Sequence, residues 1–417
     1  MEATIFPSEI SGAVTVPPSK SMAHRAMLCA ALAQGVSRVT GLADSEDMRA
    51  TRRVLTGLGA RFEAIPGGYA ITGAGRLTPP DGPLDCGESG STLRFAIPLA
   101  SLCGKPVTFT GRGRLLQRPQ GVYQQLFEGQ GLLWRQTADS LTVGGPLRPG
   151  EWAVDGGVSS QFISGLLLAM PLLGGPARLT VRPPFESASY VGLTVQAMAA
   201  FGVPVCQEEN TFWIENNKKY NSANMAVEGD WSQAAFFAVL GAVRGGVTVR
   251  GLAPDSRQGD KCILDALARC GAAFRRDGAG YHFEKSALHG ARLDLADCPD
   301  LGPILMVLGL FCAGETVLTG ARRLRLKESD RIAVMEEEIR KLGGWITSDE
   351  NTVTVRRSAL RGARLEGHND HRVVMAMAVA ALGAGVEGSI AGAEAVAKSY
   401  PAFFEDLRRL GAEVKTV

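Results

Sequence analysis

The chain has 417 residues, with 44 Lys plus Arg against 42 Asp plus Glu and a net charge of +2. At about 100 to 200 residues per domain this length predicts two to four domains, and the charge balance excludes a general polyanion binder that works by bulk attraction. Hydrophobic residues at 45% and charged residues at 21% are ordinary globular values, but 51 glycines, about 12% against a usual ~7%, imply many tight turns.

The first residues, MEATIFPSEISG, show no basic cluster followed by an apolar core, so no secretory leader is expected. From there a hydrophobic, helix-like stretch closed by Gly and followed by an alternating strand recurs six times. The first helix of each copy is predicted to end near Gly35, Gly104, Gly174, Gly246, Gly314 and Gly385, where glycine suits the left-handed residue after a helix. The strands VSRVTG, PVTFTG, ARLTVR, VTVRG, ETVLTG and VEGSIAG follow. A second helix ends near Gly59, Gly131, Gly202, Gly271, Gly343 and Gly411, at successive gaps of 72, 71, 69, 72 and 68 residues. Each copy then closes on a β-pattern pair such as ARFEAI with GYAITG, or GWITSD with TVTVRR.

A unit of roughly 70 residues is too small to bury both of its helices alone, so several must pack together. The polar run EENTFWIENNKKYNSAN, 208 to 224, reads as a linker after the third copy. Two domains of three copies each are therefore expected, a continuous solenoid being the alternative. The longest apolar stretches, Phe162 to Leu173 and Leu301 to Ala313, are too short for a membrane span. Eight cysteines without a CxxC pair suit reduced core thiols, and no disulfide framework is expected.

Aligning the copies collects the unusual polar residues at the starts of the two helices in each copy. The first position carries PSKSMAHR (18 to 25), CGESGSTLR (86 to 94), DGGVSSQF (155 to 162), EGDWSQ (228 to 233), ADCPDLG (296 to 302) and GHNDHRVVM (367 to 375). The second carries LLQRPQG (115 to 121), FESASY (185 to 190), PDSRQGD (254 to 260), LRLKESDR (324 to 331) and AKSYP (397 to 401). Helix starts expose unpaired N–H groups and favour anions. Capping accounts for Ser, Asp and Asn there, but not for Lys20, Arg25, Arg94, Arg118, Lys327, Arg331, Arg372 and Lys398, which the helix dipole disfavours. Against these eight cations stand Asp300 and Glu328, a surplus that points to one or two small substrates with phosphates or carboxylates.

Other signals carry less. SKS at 19 to 21 lacks the glycines of a phosphate-binding P-loop, and GRGRLLQ at 111 to 117 lacks the third glycine of a dinucleotide fingerprint, so neither ATPase chemistry nor a nicotinamide cofactor is indicated. His368 and His371 flank Asp370 without a third ligand cluster, so no metal is expected.

At these same residues the sequence resembles the 5-enolpyruvylshikimate-3-phosphate synthases, over essentially its full length. The carriers are PSKSMAHR, GESGSTLR (87 to 94), LLQRP (115 to 119), VSSQF (158 to 162), Pro299-Asp300, LRLKESDR, NDHR (369 to 372) and AKSYP. The resemblance implies an inverse α/β barrel fold: two domains, each of three βαβαββ units, closing over the substrates with the active site in the cleft between them. One domain would span 19 to 227 and the other 1 to 18 with 228 to 417, an N-terminal strand being added to the latter.

It also implies the ligands. Shikimate-3-phosphate would be bound by Lys20, Ser21, Arg25, Ser159, Ser160, Gln161, Ser187, Tyr190, Asp300 and Lys327. Phosphoenolpyruvate would be bound by Lys20, Gly90, Arg118, Gln161, Arg331, Arg372 and Lys398. Lys20, Asp300, Glu328 and His371 would carry catalysis: Asp300 as base toward the 5-hydroxyl, Glu328 moving the proton at C3, Lys20 assisting phosphate departure and His371 orienting Glu328 or the pocket. No cofactor, metal, nucleic acid or membrane is implied; a cytoplasmic monomer is expected. Well-known members have Ser-Asn where this chain has Ala23-His24, Asn for Glu88, Thr for Ser91, Pro for Phe95, Gly for Pro18 and Asn for Arg323. Two alternatives remain: an enolpyruvyl transferase acting on UDP-N-acetylglucosamine, whose loop would hold a reactive Cys that GRGRLLQRP lacks, and a non-catalytic phosphometabolite-binding protein.

Overall fold

The computed structural model describes residues 1 to 215, 218 to 278 and 280 to 417. The chain divides into two compact units, Pro18–Val227 and Met1–Pro17 with Glu228–Val417. The first contains helices α1 (Lys20–Leu32), α2 (Glu46–Gly57), α3 (Gly90–Ala100), α4 (Gly121–Gly129), α5 (Ser160–Ala169) and α6 (Ala188–Ala200). The second contains α7 (Trp231–Arg244), α8 (Ile263–Arg269), α9 (Gly302–Gly309), α10 (Arg331–Lys341), α11 (His371–Ala384) and α12 (Phe403–Arg409).

Among the described residues six four-stranded sheets accompany them, all built to one plan: a parallel pair, then two antiparallel neighbours. In the sheet of Leu84–Asp85, for example, that strand runs parallel to Val107–Thr110, which pairs antiparallel with Ser140–Gly144, itself antiparallel to Leu133–Gln136. The parallel step needs a helical crossover, here α3, and the antiparallel hairpin needs only a short turn. This is the βαβαββ unit, repeated.

Three sheets are completed by strands distant in sequence. Asn224–Ala226 lies parallel to Val36–Thr40, with Met225 opposite Val39. Gly12–Thr15 lies parallel to Val247–Arg250, and Glu2–Ile5 lies antiparallel to Gly388–Ala391. The N-terminus thus contributes two strands to its unit rather than one. The polar run 208 to 224 is not a linker: it contains the strand Thr211–Trp213 and the start of Asn224–Ala226. These strands are three residues long, so alternation has little length over which to show, although Phe212 is buried.

The first helix of each copy is buried nearly all round; in α11 every residue from His371 to Leu382 is inaccessible. These helices form the middle of each unit, α3 packing on α5 and α11 on both α7 and α9, with the second helix α6 packed on α1 and α5. The six second-helix glycines, Gly59, Gly131, Gly202, Gly271, Gly343 and Gly411, all have positive φ. After each one the next N–H reaches back to a carbonyl five residues earlier, as from Ala60 to Leu55 and Ala412 to Leu407, which is the Schellman termination. Among the first-helix glycines Gly174 departs from expectation. Its φ is not positive whereas the other five are, and of the six only Gly385 is itself the left-handed cap: α1, α3, α5 and α9 end before reaching Gly35, Gly104, Gly174 and Gly314, and α7 is capped by Gly245.

Candidate active site

The recurrent polar residues sit where capping puts them. In Pro18–Val227 the caps are hydroxyls: Ser19 Oγ accepts from Met22 N–H at 3.4 Å, Ser89 Oγ from Thr92 N–H at 3.3 Å and Ser159 Oγ from Gln161 N–H at 3.3 Å. In the other unit they are carboxylates: Asp230 accepts from Gln233 N–H at 3.0 Å, Asp330 from Ala333 N–H at 3.1 Å and Asp370 from Arg372 N–H at 2.9 Å. Each cap fixes the first turn of its helix, and the first turns carry the candidate residues.

In Pro18–Val227, Lys20 Nζ lies 2.8 Å from Asp47 Oδ2, a carboxylate in the first turn of α2. Arg25 is 2% exposed. It donates to Thr194 Oγ1 at 2.7 Å, the Ser21 carbonyl at 2.6 Å, the Tyr190 carbonyl at 2.8 Å and Ser164 Oγ at 3.4 Å. These bonds tie α1 to α5 and α6 and commit four of its five N–H donors. With neutral acceptors only, burial pulls its pKa down to about 10.

Gln161 is held by Arg94, whose Nη1 donates to Oε1 at 2.8 Å, and by Ser91 Oγ, which accepts from its Nε2 at 2.9 Å. Arg118 is buried against Gly90 so closely that a Cβ there would stand 2.7 Å from Nη1. Gly90 is thus required by close approach of the guanidinium rather than by backbone angles. Similarly, a Cβ on Gly113 would stand 2.7 Å from Glu88 Oε2, which places Glu88 beside that loop. Ser159 and Ser160 stand at the α5 start, Ser159 Oγ 3.5 Å from Arg94 Nη1. Ser187 has φ +56 at the α6 start, and its carbonyl accepts from Tyr190 N–H at 3.1 Å.

In the other unit Asp300 occupies a 3-10 turn, Pro299–Leu301, ahead of α9. Three cations meet its carboxylate: Lys327 at 3.2 Å, Arg331 at 3.1 Å and Arg372 at 2.9 Å. Arg331, 1% exposed, also donates to Glu328 Oε2 at 2.7 Å and to Asp370 Oδ2 at 2.8 Å. Burial opposes its charge, but Asp370, Glu328 and Asp300 together raise its pKa. Asp370 is buried as well, which alone would raise its pKa; Arg331 outweighs this and holds it below the usual carboxylate range. Burial lowers the pKa of Lys327 despite Asp300. Arg372 donates to Ser232 Oγ at 2.8 Å, and Lys398 Nζ to the Asn369 carbonyl at 2.6 Å. His371 is buried in the first turn of α11, next to Asp370.

The expected residues divide between the two units: Lys20, Ser21, Arg25, Gly90, Arg118, Ser159, Ser160, Gln161, Ser187 and Tyr190 belong to one, Asp300, Lys327, Glu328, Arg331, His371, Arg372 and Lys398 to the other. The count of charges needs correction. Asp47 and Asp370 also face these cations, and around Arg331 three carboxylates, Asp300, Glu328 and Asp370, balance Lys327, Arg331 and Arg372. An Asp in the first turn or at the cap of a helix is explained by the helix alone; only the distance of Asp47 to Lys20 and of Asp370 to Arg331 shows the second task. Glu337, Glu338 and His368 gather within 4.8 Å of one another. The place for a cation there is filled by Lys341 Nζ, 2.9 Å from Glu337 and 2.8 Å from Glu338. Among the described residues no helix is long and apolar enough to cross a membrane.

The chain is similar to known proteins over nearly its whole length. The family model described as EPSP synthase (3-phosphoshikimate 1-carboxyvinyltransferase) matches residues 6–407. The chain is 41% identical to a 3-phosphoshikimate 1-carboxyvinyltransferase of Clostridium novyi (strain NT), covering 98% of this chain and 97% of that protein. It is 39% identical to the one of Clostridium kluyveri, covering 99% and 97%. Among solved structures, an EPSP synthase from Acinetobacter baumannii superposes with a TM-score of 0.81 at 28% identity over the whole of both chains. The enolpyruvyl transferase NikO from Streptomyces tendae gives 0.80 at 17% identity, covering 99% and 98%, a likeness of fold.

Proposed function

The chain belongs to the EPSP synthase family, and from that membership we propose how its two clusters divide the work of one reaction. The chain is a transferase of the shikimate pathway with the inverse α/β barrel fold, moving the 1-carboxyvinyl group of phosphoenolpyruvate to 3-phosphoshikimate. In the reaction the 5-hydroxyl oxygen bonds to C2 of phosphoenolpyruvate while C3 takes up a proton. The tetrahedral adduct then loses that proton and its phosphate, restoring the double bond.

Phosphoenolpyruvate is held by Lys20, Gly90, Arg118 and Gln161 with Arg331, Arg372 and Lys398. Shikimate-3-phosphate is held by Lys20, Ser21, Ser159, Ser160, Gln161, Ser187, Tyr190, Asp300 and Lys327, with Arg25 offering its remaining N–H. The observation that carries the reading is Asp300 in contact with Lys327, Arg331 and Arg372 at once. Three cations make a carboxylate a weak base. Substrate anions that draw those cations away return basicity to Asp300 at the moment the 5-hydroxyl must lose its proton. Glu328, paired with Arg331, moves the proton at C3. Lys20 and the arginines counter the charge that grows on phosphate and carboxylate. His371 orients this acid–base pair. The protein works as a monomer in the cytoplasm without nucleic acid; its eight free cysteines, most of them buried, suit a reducing compartment.

The test is phosphate release. Release only when both substrates are supplied is expected; release with UDP-N-acetylglucosamine instead, or none at all, would favour the other transferase or a binding protein. Lys20→Met, Asp300→Ala and Glu328→Ala should each lower kcat by about two orders of magnitude or more with folding intact. Normal turnover in any of them removes that residue from its role.

A further inference from the structure

Three buried side chains that the substrate assignments leave unused form a polar chain inside the Pro18–Val227 unit and end on a helix cap. His24 Nδ1 lies 2.7 Å from Thr51 Oγ1, and Thr51 Oγ1 lies 2.7 Å from Thr92 Oγ1. Thr92 Oγ1 donates to Ser89 Oγ at 2.8 Å. All four residues are at most 3% exposed. The chain therefore runs from α1 through α2 to the first turn of α3.

Proton counting gives it one direction. A hydroxyl has a single proton, so with Thr92 donating to Ser89, Thr51 donates to Thr92 and His24 Nδ1–H donates to Thr51. Burial first, then the charges of Lys20 and Arg25, hold the His24 pKa well below its usual range, so the ring is the neutral Nδ1–H form. Apolar side chains would fill the same space without the desolvation of three hydroxyls and an imidazole. What the bonded run from His24 Nδ1 to Ser89 Oγ adds is a fixed separation between the helices it joins, although His24 Nε2 at its outer end is buried without a hydrogen-bond partner.

Its far end matters for substrate. Ser89 caps α3, whose first residue is Gly90, packed against Arg118, and whose second is Ser91, bonded to Gln161. A shift of a few tenths of an ångström in this turn moves the seats of Arg118 and Gln161 together. We propose that His24, Thr51 and Thr92 are positioning residues for the transfer reaction: a hydrogen-bonded strut that sets the α3 turn beneath the groups receiving phosphoenolpyruvate. This rests on the assignment of phosphoenolpyruvate to Gly90, Arg118 and Gln161 made above.

The experiment is steady-state kinetics of the full chain with each substrate varied in turn. Thr51→Val and Thr92→Val keep shape and remove one hydroxyl each. Each is expected to raise the KM for phosphoenolpyruvate roughly tenfold while leaving kcat and the KM for shikimate-3-phosphate within about twofold. The double variant should be no worse than either single, since a chain broken once is broken, and Thr51→Ser should restore the wild-type KM. Either valine variant suffices should the other fail to fold. Unchanged KM for phosphoenolpyruvate, or a fall in kcat with both KM values unchanged, overturns the strut. Arg118→Ala, run alongside, separates the causes: if it too leaves the KM for phosphoenolpyruvate unchanged, the substrate assignment has failed and the strut falls with it.

Discussion

Two arginines, Arg25 in one unit and Arg331 in the other, are buried to the same degree, at 2% and 1% exposure, yet their surroundings are opposite. Arg25 is held by hydroxyls and carbonyls, and its pKa falls to about 10; Arg331 is held by Asp300, Glu328 and Asp370, and its pKa rises. The helix caps repeat the contrast, serines at 19, 89 and 159 against aspartates at 230, 330 and 370. A buried cation surrounded by neutral acceptors is stable only if its hydrogen bonds are complete, and it keeps its attraction for an incoming anion. One surrounded by carboxylates is already neutralised, and a substrate must compete for it. The repeats are alike in backbone, and the two units differ in what they ask of a ligand.

The largest test of this contrast is removal of each arginine. Arg331→Met leaves three carboxylates around an apolar side chain and is expected to destabilise its unit by about 3 to 5 kcal/mol. Arg25→Met loses hydrogen bonds but strands no counter-charge, for about 2 kcal/mol. Urea unfolding measures both. Equal losses would show that the carboxylates around Arg331 do not matter to stability.

A smaller effect is expected from exchanging the caps. Ser159→Asp keeps the bond to Gln161 N–H but adds a negative charge 65 positions from Arg94 in sequence and within its reach in space, at 3.5 Å in the parent. Stability should change by less than about 1 kcal/mol, while the KM for both substrates rises about tenfold, because the added carboxylate takes the place of the ligand's. A rise in stability with unchanged KM would mean that this unit does not reserve its cations for substrate.

Much of this was legible in the sequence, for reasons that can be named. The glycine ladder showed the repeat because the Schellman termination demands a left-handed residue at each second helix, and Gly59 through Gly411 supply it. Gly174 was misread because nothing in its neighbours distinguishes a glycine ending a helix from one that follows a 3-10 turn. The strand Asn224–Ala226 was lost in a polar run because its partner, Val36–Thr40, lies almost 190 residues earlier, and pairing at that range leaves no local pattern. Lys20, Arg331 and the other cations stood out because helix starts disfavour them. Asp47 and Asp370 did not, because the same position favours them whether or not a cation waits nearby. Charge at a helix start is informative only when it has the wrong sign.

The smallest expected effect separates the two units by pH. In Pro18–Val227, His24 has a folded pKa well below the ordinary ~6.5. As pH falls through that value the unfolded chain binds a proton and the folded chain does not, so stability is present above about pH 6.5 and declines below it, by at most about 1.4 kcal/mol per pH unit. In the other unit, Asp370 has a folded pKa below the ordinary ~3.9, so its contribution persists to about pH 4 and is lost only at lower pH. The stability of the chain should accordingly decline in two separate windows. His24→Asn removes the titrating group and should flatten the upper window while leaving the lower one in place; Asp370→Asn should make the lower window shallower, Asp44, Glu337 and Glu394 still contributing there, and leave the upper one in place. Chemical unfolding repeated from about pH 7.5 to about pH 2 reads both slopes. An upper slope that survives unchanged in His24→Asn would mean that other groups cause it and that His24 binds its proton alike in the folded and unfolded chain, against the lowered pKa assigned to it.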